Sequence, residues 1–352
     1  MKNNPYIKIK NLKIGYDYPP VVISELGINH NGNLKKAIYL VDEAIKSGAQ
    51  IIKHQTHIPE EEMSIEAKKI IPDHINTSIF NIIKKCSLSE KDEFALKKYV
   101  ESKKKIFIST PFSFAAVDRL KKFNVPAIKI GSGECNNYPL IEYICKLKKP
   151  IILSTGMNSI SSIRPSVKII EKNKIPYALL HCTNIYPTPN HLIRINALEV
   201  MKKKFPNAVL GLSDHSASIY PAIASVILGA SLIEKHFTDT KKRTGADISA
   251  SMDKKELKNL NEAIKIVYQA RGFEKKPLKE EVDVINFAFA SIVSKKEIKK
   301  GEELKKSNIT LKRPSTGDYG PKDYKKLLGR KVKRDIKYNT QIKKIDIAQN
   351  EK

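Results

Sequence analysis

From Val21 to about residue 270 the chain repeats one alternation. A short apolar run is followed by a longer stretch in which apolar residues recur every three or four positions. The runs are "VVISEL", "QIIKHQ", "KIFIST", "PAIKIGS", "PIILST", "YALLHC", "AVLGLS" and "SLIEKHF". Several are almost continuous in Ile, Val and Leu, the pattern of strands covered on both faces of a parallel sheet. The stretches between them read as helices with legible ends. In "GNLKKAIYLVDEAIKSG", Asn33 is placed to cap, Leu34, Ile38, Val41 and Ile45 make one face, and Gly48 stops the helix. Asp253 and Glu256 resemble a capping box before the stripe Leu257, Leu260, Ile264 and Val267, with Gly272 at the end.

Eight strand–helix units within roughly 250 residues predict an α/β fold of the (β/α)8 barrel type, a TIM barrel. A doubly wound sheet is the competing architecture. It loses its main support because no G-x-G-x-x-G opens a helix, and "GSGECN" has only two glycines. Before the first strand, "YIKIKNLKIG" alternates like a hairpin placed to plug the barrel's bottom. The interval after the second strand is long enough for an extra helix. The barrel with its hairpin is assigned to residues 1–272, a charged, irregular linker to 273–286, and a small domain of short strands and turns to 287–352. So small a module buries little core alone, so it is expected to lean on the barrel or on a second subunit.

Composition narrows the function classes. An apolar fraction of 41% in 352 residues supports a sizeable core and argues against global disorder. The net charge of +27 raises nucleic acid, anionic membranes and anionic substrates as partners. The excess is mostly Lys along helical faces, as in "KKYVESKKK" and "VMKKKF". Arg is sparse, no aromatic residues are interleaved for base stacking, and no DNA-binding spacing appears, so no nucleic-acid partner is expected. Cys86, Cys135, Cys145 and Cys182 form no C-x-x-C pair, which fits a reduced compartment. "MKNNPYIKIK" lacks a signal-peptide core, and the apolar run "IYPAIASVILGASLI" is broken by Pro221 and Gly229. A cytoplasmic protein without a membrane span is expected.

Barrel enzymes build their sites where the C-terminal strand ends converge. Those ends carry Glu25; Lys53 and Gln55; Ser109 and Thr110; Lys129, Ser132 and Glu134; Ser154 and Thr155; Asn184 and Tyr186; Ser213 and His215; and His236. Hydroxyls, amides and two lysines suit a ligand carrying a phosphate and a carboxylate. His215 and His236 fall on the seventh and eighth strands, which are neighbours in a closed barrel. The pair could hold a divalent cation in an open site, or be two hydrogen-bonded core histidines. His30 and His57 lie near strand ends, so either could line the mouth, although surface or supporting roles are preferred.

These residues carry a resemblance. "ELGINHNG", "KHQTH", "STPFS", "IKIGSGECNNYPL", "ILSTGMNS", "LLHCTNIYPTP", "GLSDH", "HFTD" and the terminal "FAFAS…KRP" occur in order over nearly the whole chain. Together they resemble the bacterial N-acetylneuraminate (sialic acid) synthase family, a (β/α)8 barrel followed by an antifreeze-like (SAF) domain. The resemblance implies condensation of phosphoenolpyruvate with N-acetylmannosamine, supported by a divalent metal: manganese, with magnesium or cobalt as alternatives. It implies that His215 and His236 are the metal ligands. It assigns Lys53, Thr110, Lys129, Ser132, Ser154, Asn184 and Ser213 to phosphoenolpyruvate, and Glu25, Gln55, Tyr186, Asp247 and Phe287 to the sugar side, with Glu134 beside them. Glu25 or a metal-bound water would be the base. Arg313, in "KRP", matches an arginine inserted into the partner's barrel, which implies a domain-swapped homodimer. Two positions depart from the family pattern: His74 stands where Asn is expected, and Ala246 replaces Pro before Asp247. Both are on the acceptor side, so a 2,4-diacetamido-2,4,6-trideoxyhexose, leading to a legionaminic or pseudaminic acid, is the alternative acceptor.

Overall fold

The protein is described by a computed structural model over residues 4–71, 77–272 and 274–348. An antiparallel hairpin, β1 (Tyr6–Ile9) and β2 (Leu12–Gly15), opens the chain. Eight strands follow: β3 (Val21–Glu25), β4 (Ile51–Thr56), β5 (Ile106–Pro111), β6 (Ile128–Ile130), β7 (Ile151–Ser154), β8 (Tyr177–Cys182), β9 (Val209–Asp214) and β10 (Leu232–His236). All pair in parallel and close into a barrel, with β10 returning to β3. This is the architecture predicted from the alternation.

Parity along each strand divides the barrel into two cores. Inward residues such as Ile23, Ile51, Ile108, Ile152, Leu180 and Leu232 pack with Ile7, Ile9 and Ile14 of the hairpin, which closes the N-terminal end. Outward residues such as Val22, Ile52, Phe107, Leu179 and Ile233 pack under the helices. Burying each such side chain stabilises the fold by about 1.5–3 kcal/mol relative to leaving it exposed. Gly211 belongs to the inner row, where a Cβ would strike the Leu180 side chain and the Leu232 carbonyl.

Helix ends follow the sequence. The Asn33 side chain accepts from the Lys36 N–H at 2.9 Å and starts the helix Leu34–Lys46. Its fully buried stripe is Ala37, Leu40, Val41 and Ala44, while Leu34, Ile38 and Ile45 are only partly buried. The predicted face is therefore turned by about one position, because the two alanines permit the closest approach to the barrel. Asp253 and Glu256 form the reciprocal capping box of the helix Lys254–Ala270, at 3.0 and 2.9 Å. The long interval after β4 holds the helices Ile79–Cys86 and Glu90–Ser102.

The chain divides into two compact units, residues 1–272 and 273–352. The second has its own core of Ile292, Ile298, Leu304, Ile309, Val332, Ile336 and Ile342, around the antiparallel pair β11 (Ser291–Ser294) and β12 (Ile309–Lys312). The stretch expected as a linker is not irregular throughout: it carries the 3-10 turn Lys279–Glu281 and the start of the helix Val282–Ala288. Its charged residues are the exposed side of that structure, and the Glu281 carboxylate accepts from the Leu278 N–H at 2.7 Å. All four cysteines are buried free thiols. Among the described residues no helix is long and apolar enough to cross a membrane.

Candidate active site

Near the C-terminal end of the barrel the inward row changes from apolar to polar. Lys53, Gln55, Thr110, Lys129, Ser132, Ser154, Asn184, Tyr186, Ser213, His215 and His236 line one central cavity of about 140 Å³. All seven residues assigned to phosphoenolpyruvate thus meet in one place. Lys53 donates to Thr110 Oγ1 at 3.3 Å, and Lys129 donates to Ser154 Oγ at 2.7 Å. Glu25 sits just beneath: one carboxylate oxygen contacts Lys53 and the other accepts from the Gly27 N–H.

One charged member of this cavity, Glu234, was missed, as was the aromatic wall Phe112. Glu234 lies 3.5 Å from both Lys53 and Lys129 and accepts from Ser213 Oγ at 3.1 Å. The signal was present in "SLIEKHF": inward residues recur every second position, so Glu234 must share a face with His236. Burial would raise the Glu234 carboxyl, but Lys129 and Lys53 hold it down to about 2. Burial pushes the Lys53 ammonium down to about 8, with Glu234 opposing. The interior thus interleaves carboxyl and amino groups, Glu25 and Glu234 with Lys53 and Lys129.

His215 is held in the form that a metal requires. Nδ1 of His215 donates to the Thr183 carbonyl at 3.0 Å, so Nε2 keeps its lone pair, and the Tyr186 hydroxyl lies 3.1 Å from it. Burial, aided by His236, pushes the His215 imidazole down to about 3, and burial pushes the Tyr186 phenol up. Nδ1 of His236 faces Asp247 Oδ2 at 3.3 Å, leaving Nε2 toward the cavity. Burial alone would raise the Asp247 carboxyl, but His236 holds it below the usual range. A ring nitrogen oriented by a carbonyl or carboxylate on the far side is the usual support of a metal-binding imidazole. The ring centroids are 5.4 Å apart. Gly27, at φ +51°, makes room here, since a Cβ would meet both Asp247 and His236. Among the described residues no third His, Cys, Asp or Glu completes a metal cluster, so the other positions would fall to water or substrate.

A second, larger cavity of about 770 Å³ shares Tyr186 with the first. Ile28, Ile82, Ala246 and Ile248 form its apolar wall, and Asn29, Asn31, Asn81, Thr244 and Ser249 supply neutral polar groups. Ala246, which departs from the family pattern, lines this cavity. His74 lies outside the described residues. Glu134 is half-buried after β6, bonded to Asn137 at 2.6 Å, and its carboxyl is raised by burial. Phe287 and Arg313 belong to the second unit, Phe287 on its helix Val282–Ala288 and Arg313 just after β12, and both are exposed.

Family models match both units: the NeuB family over residues 40–276 and the SAF domain over residues 289–348. The chain is 37% identical to the N,N'-diacetyllegionaminic acid synthase of Campylobacter jejuni, over 92% of this chain and 98% of that one. It is 33% identical to a pseudaminic acid synthase of the same organism, over 92% and 96%. The solved N-acetylneuraminic acid (sialic acid) synthetase of Leptospira borgpetersenii superposes with a TM-score of 0.74 at 31% identity, covering 80% of this chain and 95% of that one.

Proposed function

The chain belongs to the NeuB family of condensing synthases, and on that premise we propose that it joins phosphoenolpyruvate to the open-chain form of an N-acetylated amino sugar, releasing phosphate and a nonulosonic acid. The observation that carries this reading is the convergence of two lysines, four hydroxyls and one amide on a single buried cavity beside two oriented imidazoles. Lys53 and Lys129 supply point charge to the phosphate and carboxylate, and Thr110, Ser132, Ser154, Ser213 and Asn184 supply directed donors.

Charge also supports a divalent cation. Lys53 contacts Glu25 and Glu234, Lys129 faces Glu234, and Asp247 faces His236, so three carboxyl groups stand against two amino groups before a polyanionic substrate enters. His215 and His236 would hold the cation, with manganese the expected ion. When bound, it supplies a Lewis acid that polarises the sugar aldehyde.

C3 of phosphoenolpyruvate attacks that aldehyde carbon, and C2 gains oxocarbenium character. Glu25 and Glu234 face this region with negative charge, which favours the developing cation. Phosphate and carboxylate oxygens that engage Lys53 compete with Glu25 for it, and Glu25 freed from that contact takes the proton of the water adding at C2. Collapse of the tetrahedral product breaks the C–O bond and expels phosphate. Holding both substrates in register lowers the barrier by several kcal/mol, out of roughly 7–11 kcal/mol available to full preorganisation.

Two acceptors suit the outer cavity. N-acetylmannosamine is the one implied by the sequence. The 2,4-diacetamido-2,4,6-trideoxyhexose carries a methyl in place of the C6 hydroxymethyl and an acetamido group in place of the C4 hydroxyl. The apolar wall of Ile28, Ile82, Ala246 and Ile248 favours this second sugar. Competition between the two for limiting enzyme, with products identified by mass, separates the readings. Exclusive use of N-acetylmannosamine would overturn the preference for the trideoxy sugar. The exposed Arg313 of the second unit is proposed to complete the acceptor site of a partner subunit in a domain-swapped homodimer.

A further inference from the structure

His57 does not line the central cavity, yet it is bonded to a residue that does. Its Nε2 faces Gln55 Oε1 at 3.0 Å, and its Nδ1 faces the Glu62 carboxylate, 3.0 Å from each oxygen, so each ring nitrogen meets an oxygen and only a ring carrying both N–H groups satisfies the two contacts together. The side chains of His57 and Glu62 are each only 6% exposed. The ring lies flat on Phe112, with centroids 4.3 Å apart and planes 8° from parallel. Gln55 and Phe112 both line the cavity, so one buried imidazole supports two of its walls.

The consequence lies in the Gln55 amide. Its two ends have opposite chemistry: the oxygen only accepts and the nitrogen only donates. With Oε1 engaged by His57, the NH2 end is the one offered to a ligand. Were the amide to turn over, an acceptor would face the same ligand atom, and a donated hydrogen bond would become a repulsion. We propose that His57, an imidazolium tethered by Glu62, is a positioning residue that donates to Oε1 of Gln55 and so fixes the amide to donate to an oxygen of the acceptor sugar. This rests on the functional reading given above. It adds a specificity element that acts on the sugar through a second residue.

The test is a double-mutant cycle in the full-length protein, with kinetic constants measured for both substrates. His57→Phe keeps the stacking on Phe112 and removes the donor. It should raise the acceptor KM about tenfold while leaving kcat and the phosphoenolpyruvate KM within about twofold, the effect of one buried hydrogen bond. His57→Gln, whose amide can donate from near the place of Nε2, should stay within about threefold of the native enzyme. In a Gln55→Ala background, His57→Phe should have no further effect, because both changes remove the same contact. Multiplying effects, or an unchanged acceptor KM in His57→Phe, would overturn the proposal. Should His57→Phe melt early, Glu62→Ala is expected to reproduce the rise in acceptor KM, and its failure to do so overturns the proposal equally. A Gln55→Ala enzyme altered only toward phosphoenolpyruvate would move Gln55 off the sugar, and would reject this inference while leaving the condensation reading intact. A native protein that condenses no acceptor would reject the functional reading first, and this inference with it.

Discussion

The Lys235 ammonium lies 3.1 Å from Asp214 Oδ2 and also donates to the carbonyls of Asp214 and Ser216, so the residue before each cavity-lining histidine is bonded to the other. Both side chains are 1% exposed. They point outward from β9 and β10, under the helices, while His215 and His236 face the cavity. The pair therefore fixes the spacing of the two strand ends from behind. Lys235 is buried and braces the strand ends behind the site.

Lys235→Met should leave the Asp214 carboxylate buried without its counter-ion, at a cost of about 3–5 kcal/mol. Thermal melting should show a large loss, and metal-supported activity should fall with it. Lys235→Arg retains the charge and should recover most of both. A methionine variant that melts like the native protein would show that the pair does not hold the strand ends.

Glu234→Gln should separate binding from chemistry. Removing this carboxylate leaves Lys53 and Lys129 less neutralised, so the phosphoenolpyruvate KM should stay level or fall. The rate constant kcat should drop about a hundredfold, the scale of a positioned charge acting in the transition state. A raised phosphoenolpyruvate KM with unchanged kcat would instead make Glu234 a ground-state scaffold.

Acid stability should depend on Glu93. Its buried carboxylate contacts Thr56 Oγ1 and accepts from Arg119 at 3.2 Å, and His54 Nδ1 lies 3.3 Å away. Burial would raise this carboxyl, but the hydrogen bonds from His54, Thr56 and Arg119 outweigh burial and lower it. A folded value below the unfolded one stabilises the native state above the unfolded value. That stability is lost as pH falls from about 4.5 through the folded value. Denaturant melts of Glu93→Gln against the native protein should show a smaller loss of stability on acidification. Parallel pH curves would contradict this.

The domain swap predicts complementation. Arg313→Ala should raise the acceptor KM without lowering the melting temperature of the barrel. Mixed with Lys53→Ala, it should regain activity as mixed dimers form, up to about a quarter of the native sites, since half the dimers would carry one intact composite site. Mixtures no more active than the separate variants would place Arg313 in its own subunit's site, or in none.

The barrel was legible because strands buried on both faces read as continuous apolar runs, and each of the eight runs overlaps a strand. The cavity was legible because polar residues at the ends of such runs have few structural uses. Glu234 was missed because it lies inside a run, where the eye takes it as strand body; counting back two from His236 recovers it. The same parity places Lys235, Asp214 and His54 outside the barrel. His57 could not be recognised from spacing, because its importance depends on Glu62 and Gln55 folding onto either side of one ring. The turned face of the first helix reflects packing geometry that no residue count contains.

The most direct measurement is phosphate release from phosphoenolpyruvate by the purified chain, with each of the two sugars, in chelator and then with manganese restored. The account predicts release only when sugar and metal are both present, and its loss in His215→Ala. Release without sugar, or undiminished release in chelator, would contradict it.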